Sequence, residues 1–393
     1  MILVILMVKV AGIDPGTKSF DIVCIDGDRV VYEKSLETVE VARNPDILID
    51  AIDSIDVDYI VAPSGYGVPV TRGGEVLDPR RFATEILLLS SEDDIKKGVE
   101  AGEIGIWVYE ALAKAVEHLV NRYGNRVLFI PSIIQLPTVP FYRKINRIDM
   151  GTVDKLAATF LAIYKEASNK GIDYSDVNII VVELGFGYNA TIAVRKGKIV
   201  DGIGGTVASI GTLTSGAIDL EVASHSEKWY RWDVFYGGIF HIAKKYDLSI
   251  FAEAYKKSEE PMASLFIGFI EGVAKDIARM SISVPNAEKI LLTGRHSRIP
   301  LVIDMLKELI PDIEVERSDV LKGASISKEA GQGYAAIGEG IVGERFTELV
   351  KHIEIEKACG TVVDYIYHPR AEEFKKRILK TYRDVVKSPK LCI

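Results

Sequence analysis

The chain has 393 residues, 48% hydrophobic and 26% charged, with a formal net charge of −8. That length exceeds what one hydrophobic core usually supports, so two domains are expected, and the acidic balance excludes a nucleic-acid binder that works through a broad basic face. Three cysteines (Cys24, Cys359, Cys392) with no CxxC pair predict neither a disulfide framework nor a zinc site, and point to a reducing, cytoplasmic setting.

The opening "MILVILMVKV" lacks a basic leader and a small-residue cleavage site, and is too short to span a bilayer. Residues 8–13 read as a buried strand; "MILVIL" reads as an edge extension or as sequence upstream of a true start at Met7. The glycine turn "DPGTKS" follows, then strands "FDIVCI" and "RVVYE" joined at Asp26-Gly27, a hairpin signal. Residues 44–55 have helical spacing, and 58–67 form a strand ending in a glycine-rich loop. Residues 105–124 predict an amphipathic helix stopped at Gly124. A strand at 126–131 and a long helix at 150–171 follow, with Thr152 at its N-cap.

The pattern then restarts. "NIIVVELGFGYNATIAVRKGKIVDGIGG" (178–205) again reads as strand, glycine loop, strand, turn, strand. Asp14 and Gly16 before the first meander correspond to Glu183 and Gly185 before the second. An internal duplication explains this, and two such units facing each other would form a cleft. A long helix (264–283), a strand with a glycine turn (289–300), a helix (301–310), a strand (313–318) and a Gly/Ala-rich helix (325–343) complete the second half. The expected domains are 1–150 and 151–343, with a helical extension at 344–393. Glutamine occurs only at Gln135 and Gln332 among plentiful Lys, Glu and Ile, a thermophile-like composition.

Taken alone, Asp14-Pro15-Gly16 is explained by turn chemistry. In order, however, the motifs "GIDPGTKS", "ELGFGYN", "LLTGR" and the Gly/Ala helix resemble the actin-like ATPase superfamily, which includes acetate and sugar kinases. The likeness is greatest to butyrate kinases and the acetate kinase group, including an archaeal-type family of predicted butyrate kinases. There "VTRGGEVLDP" (70–79) resembles an arginine-glycine segment and "KEAGQGYAAIGEG" the final connecting helix. The resemblance covers most of residues 8–343. It implies an α/β fold of two duplicated ribonuclease H-like domains around a nucleotide cleft. It also implies ATP and Mg²⁺ as cofactors, a small carboxylate acceptor and a homodimer, with no nucleic acid or membrane partner.

The resemblance implies Gly16, Thr17, Lys18 and Ser19 as the first phosphate loop and Gly185, Gly187 and Asn189 as the second. Glycine there lets backbone N–H groups approach phosphate oxygens. Gly294 and Arg295 fall at the adenosine loop. Asp14 and Glu183, at the ends of equivalent strands, suit a hydrated Mg²⁺. Arg72 is the expected acceptor clamp, although an ordinary solvated arginine explains it equally. Asp149, with Asp154 and Lys155, stands in for acceptor-site groups; helix-start carboxylates that suit the macrodipole are the other reading.

The chain departs from acyl kinases in three places. Residues 130–137 lack their aspartate, 207–213 lack their arginine, and Glu183 replaces a histidine or aspartate. A sugar or alcohol kinase, a non-transferring ATPase that gates a partner and a degenerate nucleotide binder are the alternatives. The aromatic cluster at 228–238 reads first as a core patch or dimer surface and second as an acceptor-pocket wall.

Overall fold

The structure, a computed structural model, describes residues 8–392. The "MILVIL" segment therefore lies outside the described residues. Two β-sheets share one plan. In the first, β1 (Lys9–Pro15), β2 (Ser19–Asp26) and β3 (Arg29–Glu37) form an antiparallel meander. β4 (Tyr59–Val61) joins the other edge of β1 in parallel. β5 (Thr71–Arg72) closes the sheet antiparallel to β6 (Val127–Phe129), which lies parallel to β4. The second sheet repeats this with a meander of β7 (Ile179–Leu184), β8 (Asn189–Arg195) and β9 (Lys198–Ile203). Parallel strands β10 (Lys289–Thr293) and β11 (Glu314–Arg317) extend it.

The duplication holds at the level of single residues. The meander turns follow the pairs Pro15–Phe20 and Leu184–Asn189, so Asp14 and Glu183 each sit one pair earlier. The second hairpin of each meander also carries a register shift at the same place, between Cys24 and Ile25 and between Ala193 and Val194. β4 stops at Val61 rather than running on toward Gly67, because Pro63 has no N–H to continue the ladder.

Six helices matter here: α1 (Ile104–Tyr123), α2 (Val153–Lys170), α3 (Met262–Ser281), α4 (Pro300–Leu309), α5 (Glu329–Ile341) and α6 (Glu372–Val385). α1 and α2 end at Gly124 and Gly171, both with positive φ, which an L side chain rarely adopts. Thr152 occupies the N-cap position of α2, but its hydroxyl donates to Asp154 Oδ1 at 2.5 Å instead of capping the helix. α2 and α5 cross closely because Gly333 has no side chain: a Cβ there would lie 2.0 Å from the Ala157 carbonyl oxygen. Gly12 likewise lets β1 meet the α5 backbone at Ala335. The small residues of α5 thus bring both sheets against one pair of helices.

β7 explains why its sequence is an unbroken apolar run. Ile179 and Val181 face the core shared with α2 and the first sheet. Ile180, Val182 and Leu184 face a second core under α3 and α4. A strand covered on both faces needs no polar alternation.

One expectation changes at the C-terminus. The segment after α5 packs on the first sheet's core through Ile378, Tyr382 and Val385. It is tied there by Leu77 N–H donating to the Val385 carbonyl at 2.8 Å. Cys359 and Cys392, 33 residues apart, form a disulfide, which corrects the reading of three unpaired thiols. The reducing-compartment argument from cysteine usage falls with it. The chain segment after α6 returns alongside Gly360, whose N–H donates to the Lys390 carbonyl at 2.7 Å, a proximity that linear spacing does not reveal. No helix among the described residues is long and apolar enough to cross a membrane.

Candidate functional site

The two glycine loops face each other between the sheets. A Cβ on Gly187 would lie 3.3 Å from Thr17 Cγ2, and the Lys18 ammonium stands 5.9 Å from the centre of the Phe186 ring. The first loop is held by Thr38, whose hydroxyl donates to the Gly16 carbonyl at 2.7 Å. Between the loops lies a cleft of about 40 Å³. Its lining includes Asp14, Gly16, Thr17, Lys18, Glu183, Gly185, Gly187, Gly294 and Arg295. With Asp154 and Lys155, which also line it, eleven of the residues singled out in the sequence meet here.

Two lysine–carboxylate pairs line this cleft, one at the equivalent strand end of each sheet. Lys328, at the N-cap of α5, donates to Asp14 Oδ2 at 2.7 Å. Lys155, in the first turn of α2, pairs with the adjacent Asp154 and lies 3.4 Å from Glu183 Oε2. Burial pushes the Asp14 carboxyl up to about 6 against the pull of Lys328, and the Glu183 carboxyl up to about 7 against Lys155. Asp154 is only partly buried, and the Lys155 charge beside it holds its carboxyl below the ordinary range. Asp14 Oδ1 and Glu183 Oε2 are buried without a hydrogen-bond partner.

Gly294 has φ +80, and a Cβ on it would lie 2.6 Å from Glu183 Oε1. Its N–H donates to Glu329 Oε2 at 3.2 Å. The TG turn is thereby fixed against the end of β7, with Arg295 reaching Ser19 Oγ at 3.4 Å. Ser19 and Asn189 stand behind the loops rather than in the cleft lining. Ser19 is buried at the start of β2, and Asn189 Nδ2 donates to the Ile210 carbonyl at 3.3 Å.

A second cavity, of about 540 Å³, adjoins the cleft. Thr17, Asp154, Lys155, Phe186 and Tyr188 line both. Asp149 lines the larger one, where its carboxylate accepts from the backbone N–H groups of Gly151 (3.0 Å) and Thr206 (3.3 Å). Burial is the main cause that raises the Asp149 carboxyl. A Cβ on Gly204 would overlap this carboxylate, so Asp149 also pins the loop after β9. Val234, Phe235 and Tyr236 of the aromatic cluster line the cavity.

Arg72 is a correction. Tyr59 is level with Val10 near the start of β1, and the Arg72 guanidinium lies 5.8 Å from the centre of the Tyr59 ring while donating to the Asn125 carbonyl at 3.1 Å. It therefore stands at the end of the sheet opposite Asp14, because β5 runs antiparallel to β6. Lys328, Glu329, Tyr188 and Arg231 were not singled out in the sequence. A lysine at a helix N-terminus opposes the macrodipole, and that anomaly in "SISKEAGQG" was the available signal for Lys328.

No curated protein matches the chain. Solved structures do. The acetate kinase from Porphyromonas gingivalis aligns with a TM-score of 0.53 at 12% identity, over 85% of this chain and 100% of that one. A propionate kinase from Francisella tularensis subsp. tularensis SCHU S4 gives 0.53 at 14%, over 84% and 98%. The acetate kinase from Entamoeba histolytica gives 0.52 at 13%, over 77% and 86%. At these identities the likeness is one of fold, and the fold is the two-sheet actin-like ATPase architecture. The family described as "Protein of unknown function (DUF1464)" matches residues 12–368, and the chain belongs to that family.

Proposed function

We propose that this protein is a Mg²⁺- and ATP-dependent phosphotransferase whose acceptor is an organic acid bound in the larger cavity. The observation that carries this is the shared neck: the loop cleft and the cavity have Thr17, Asp154, Lys155, Phe186 and Tyr188 in common. A phosphoryl group held between the glycine loops would meet an acceptor there. Phosphoryl transfer asks mainly for such positioning and for charge neutralisation.

In this reading Gly16, Thr17 and Lys18 face the phosphates from one side, and Gly185 and Gly187 from the other. Gly294 and Arg295 border the nucleoside. Asp14 and Glu183 fit a hydrated magnesium ion, since each has a buried carboxylate oxygen that accepts no hydrogen bond; when bound, the ion neutralises phosphate charge. Lys155 and Lys328 supply further positive charge. An acceptor carboxylate oxygen forms the new bond to the γ-phosphorus. The bond from phosphorus to the β,γ-bridging oxygen breaks, and ADP leaves with its electron pair. No general base is needed because the carboxylate is already ionised. Among the described residues Lys155 is the one lysine or arginine that lines the larger cavity, so it takes the clamp role expected of Arg72.

A second reading is transfer to a hydroxyl group. It is favoured by Asp149 and Asp154, whose carboxylates line the same cavity and could accept the hydroxyl proton. Incubation with Mg-ATP, carboxylic acids and hydroxylamine separates the two. Acyl phosphates are trapped as hydroxamates, and formation of a hydroxamate is the expected result. Acceptor-dependent ADP release without hydroxamate from any acid would overturn the acyl reading in favour of the hydroxyl one. ADP release indifferent to every acceptor would point to a gating ATPase. If Mg-ATP fails to raise the melting temperature, the nucleotide site itself is refuted.

A further inference from the structure

We propose, resting on the acid-acceptor reading, that the acceptor is an aryl-substituted carboxylic acid whose apolar body is larger than one benzene ring. A cavity of ~150 Å³ suffices to hold benzene. This one measures about 540 Å³. Short acids such as butyrate match benzene in atom count and would leave most of it as water against apolar walls. Val39, Val108, Leu112 and Leu213 form aliphatic parts of the wall, and seven of the lining residues are tyrosine or phenylalanine. Rings favour edge-to-face partners of their own kind. One lysine, Lys155, sits where the cavity meets the cleft, which orients a single acidic head toward the phosphoryl donor.

The cavity is built rather than left over. Residues 216–238 leave the second sheet's domain between Gly216 and Gly237, both with positive φ, and cross to the first. Arg231 donates to the Tyr109 hydroxyl at 2.9 Å and the Leu88 carbonyl at 3.1 Å. The Tyr236 hydroxyl donates to Glu103. The Tyr188 hydroxyl donates to the Val234 carbonyl at 2.8 Å, and the Phe235 ring packs edge-on to Tyr109 with centroids 5.6 Å apart. These ties fix the aromatic segment against α1 at Gly105 and Tyr109, beside Val108 and Leu112 of the same helix. The segment thereby forms a fixed side of the cavity.

The test uses the full chain and the series butyrate, 4-phenylbutyrate and 4-(4-biphenylyl)butyrate. Binding is measured by calorimetry without nucleotide, and transfer by ADP release with Mg-ATP. Each additional buried methylene-sized group tightens binding about fourfold, so at least a tenfold gain from butyrate to the aryl acids is expected, with kcat/KM following. Val108→Trp and, independently, Val39→Trp fill the cavity and should abolish that gain. Retention of the Mg-ATP thermal shift shows that each variant is folded. Equal or tighter binding of butyrate overturns the proposal, as does an aryl gain that survives in both folded variants. The amide 4-phenylbutyramide binding as well as the acid overturns the acidic head. Tight binding of aryl acids without phosphoryl transfer supports the assignment of the cavity while refuting the phosphotransferase reading on which it rests.

Discussion

Lys328 Nζ lies 2.7 Å from Asp14 Oδ2, although 314 residues separate them in the chain. The ammonium is also 3.7 Å from Asp21 Oδ2, and both carboxylates are almost wholly buried. Removing one partner of such a pair leaves an uncompensated buried charge. Lys328→Met should therefore lower stability at pH 7 by about 3 kcal/mol in urea unfolding. Part of that loss should vanish at pH 4.5, where the Asp14 carboxyl, raised to about 6, is protonated. An equal loss at both pH values would show that Asp14 is not the group Lys328 compensates.

Glu183 makes the second pH prediction. Its carboxyl is raised from 4.5 to about 7 by burial, so the folded state binds its proton more tightly than the unfolded state does. The sign follows: this contribution is fully present below about pH 4.5 and is lost as pH rises through about 7. Glu183→Gln should raise stability at pH 8 by on the order of 2 kcal/mol and change little at pH 4.5. The same variant should weaken the magnesium dependence of ATP binding, read as the difference in thermal shift with and without EDTA.

The crossing of α2 and α5 has almost no slack. Gly333→Val should cost about 3 kcal/mol or more, since even a Cβ at this position overlaps the Ala157 backbone. Gly268 in α3 is the matched control, with nothing within 4 Å of an added Cβ. Gly268→Ala should stabilise by about 1 kcal/mol. Chemical denaturation of the two variants checks both signs.

The thiols can be counted directly. Cys24 is buried, and its thiol is pushed up to about 12 by burial, so it should not react with a disulfide reagent in the native protein. One thiol should titrate after denaturation and three after denaturation with reduction. Cys359→Ser should cost about 4 kcal/mol, from loss of the cross-link that closes a loop of this length.

The loop cleft, at about 40 Å³, has room for about three waters. Seating a triphosphate requires the loops to separate, breaking the long Arg295–Ser19 hydrogen bond. Small-angle scattering should show a larger radius of gyration with Mg-ATP than without. An unchanged or smaller radius would mean that the nucleotide binds without separating the loops.

Much of the architecture was legible in the sequence because it rests on local rules. The two meanders announce themselves through apolar runs broken by glycine turns, and Asp14 and Glu183 could be matched by their spacing to those turns. The stops at Gly124 and Gly171 follow from backbone conformation alone. Other features were decided only when the chain folded on itself. Arg72 has a glycine-rich setting that suits a binding loop, yet the antiparallel pairing of β5 turns it to the far end of the sheet. Lys328 carries no motif of its own, and its partners lie on β1 and β2. Cys359 meets Cys392 only because the segment after α6 doubles back. The large cavity depends on Arg231 and Tyr236 reaching across to Tyr109 and Glu103. Periodicity and turn chemistry act over a few residues, so they determine strands, helices and the repeat. Charge pairing, disulfide geometry and cavity shape depend on distances through space, and those are set only once the two sheets close on α2 and α5.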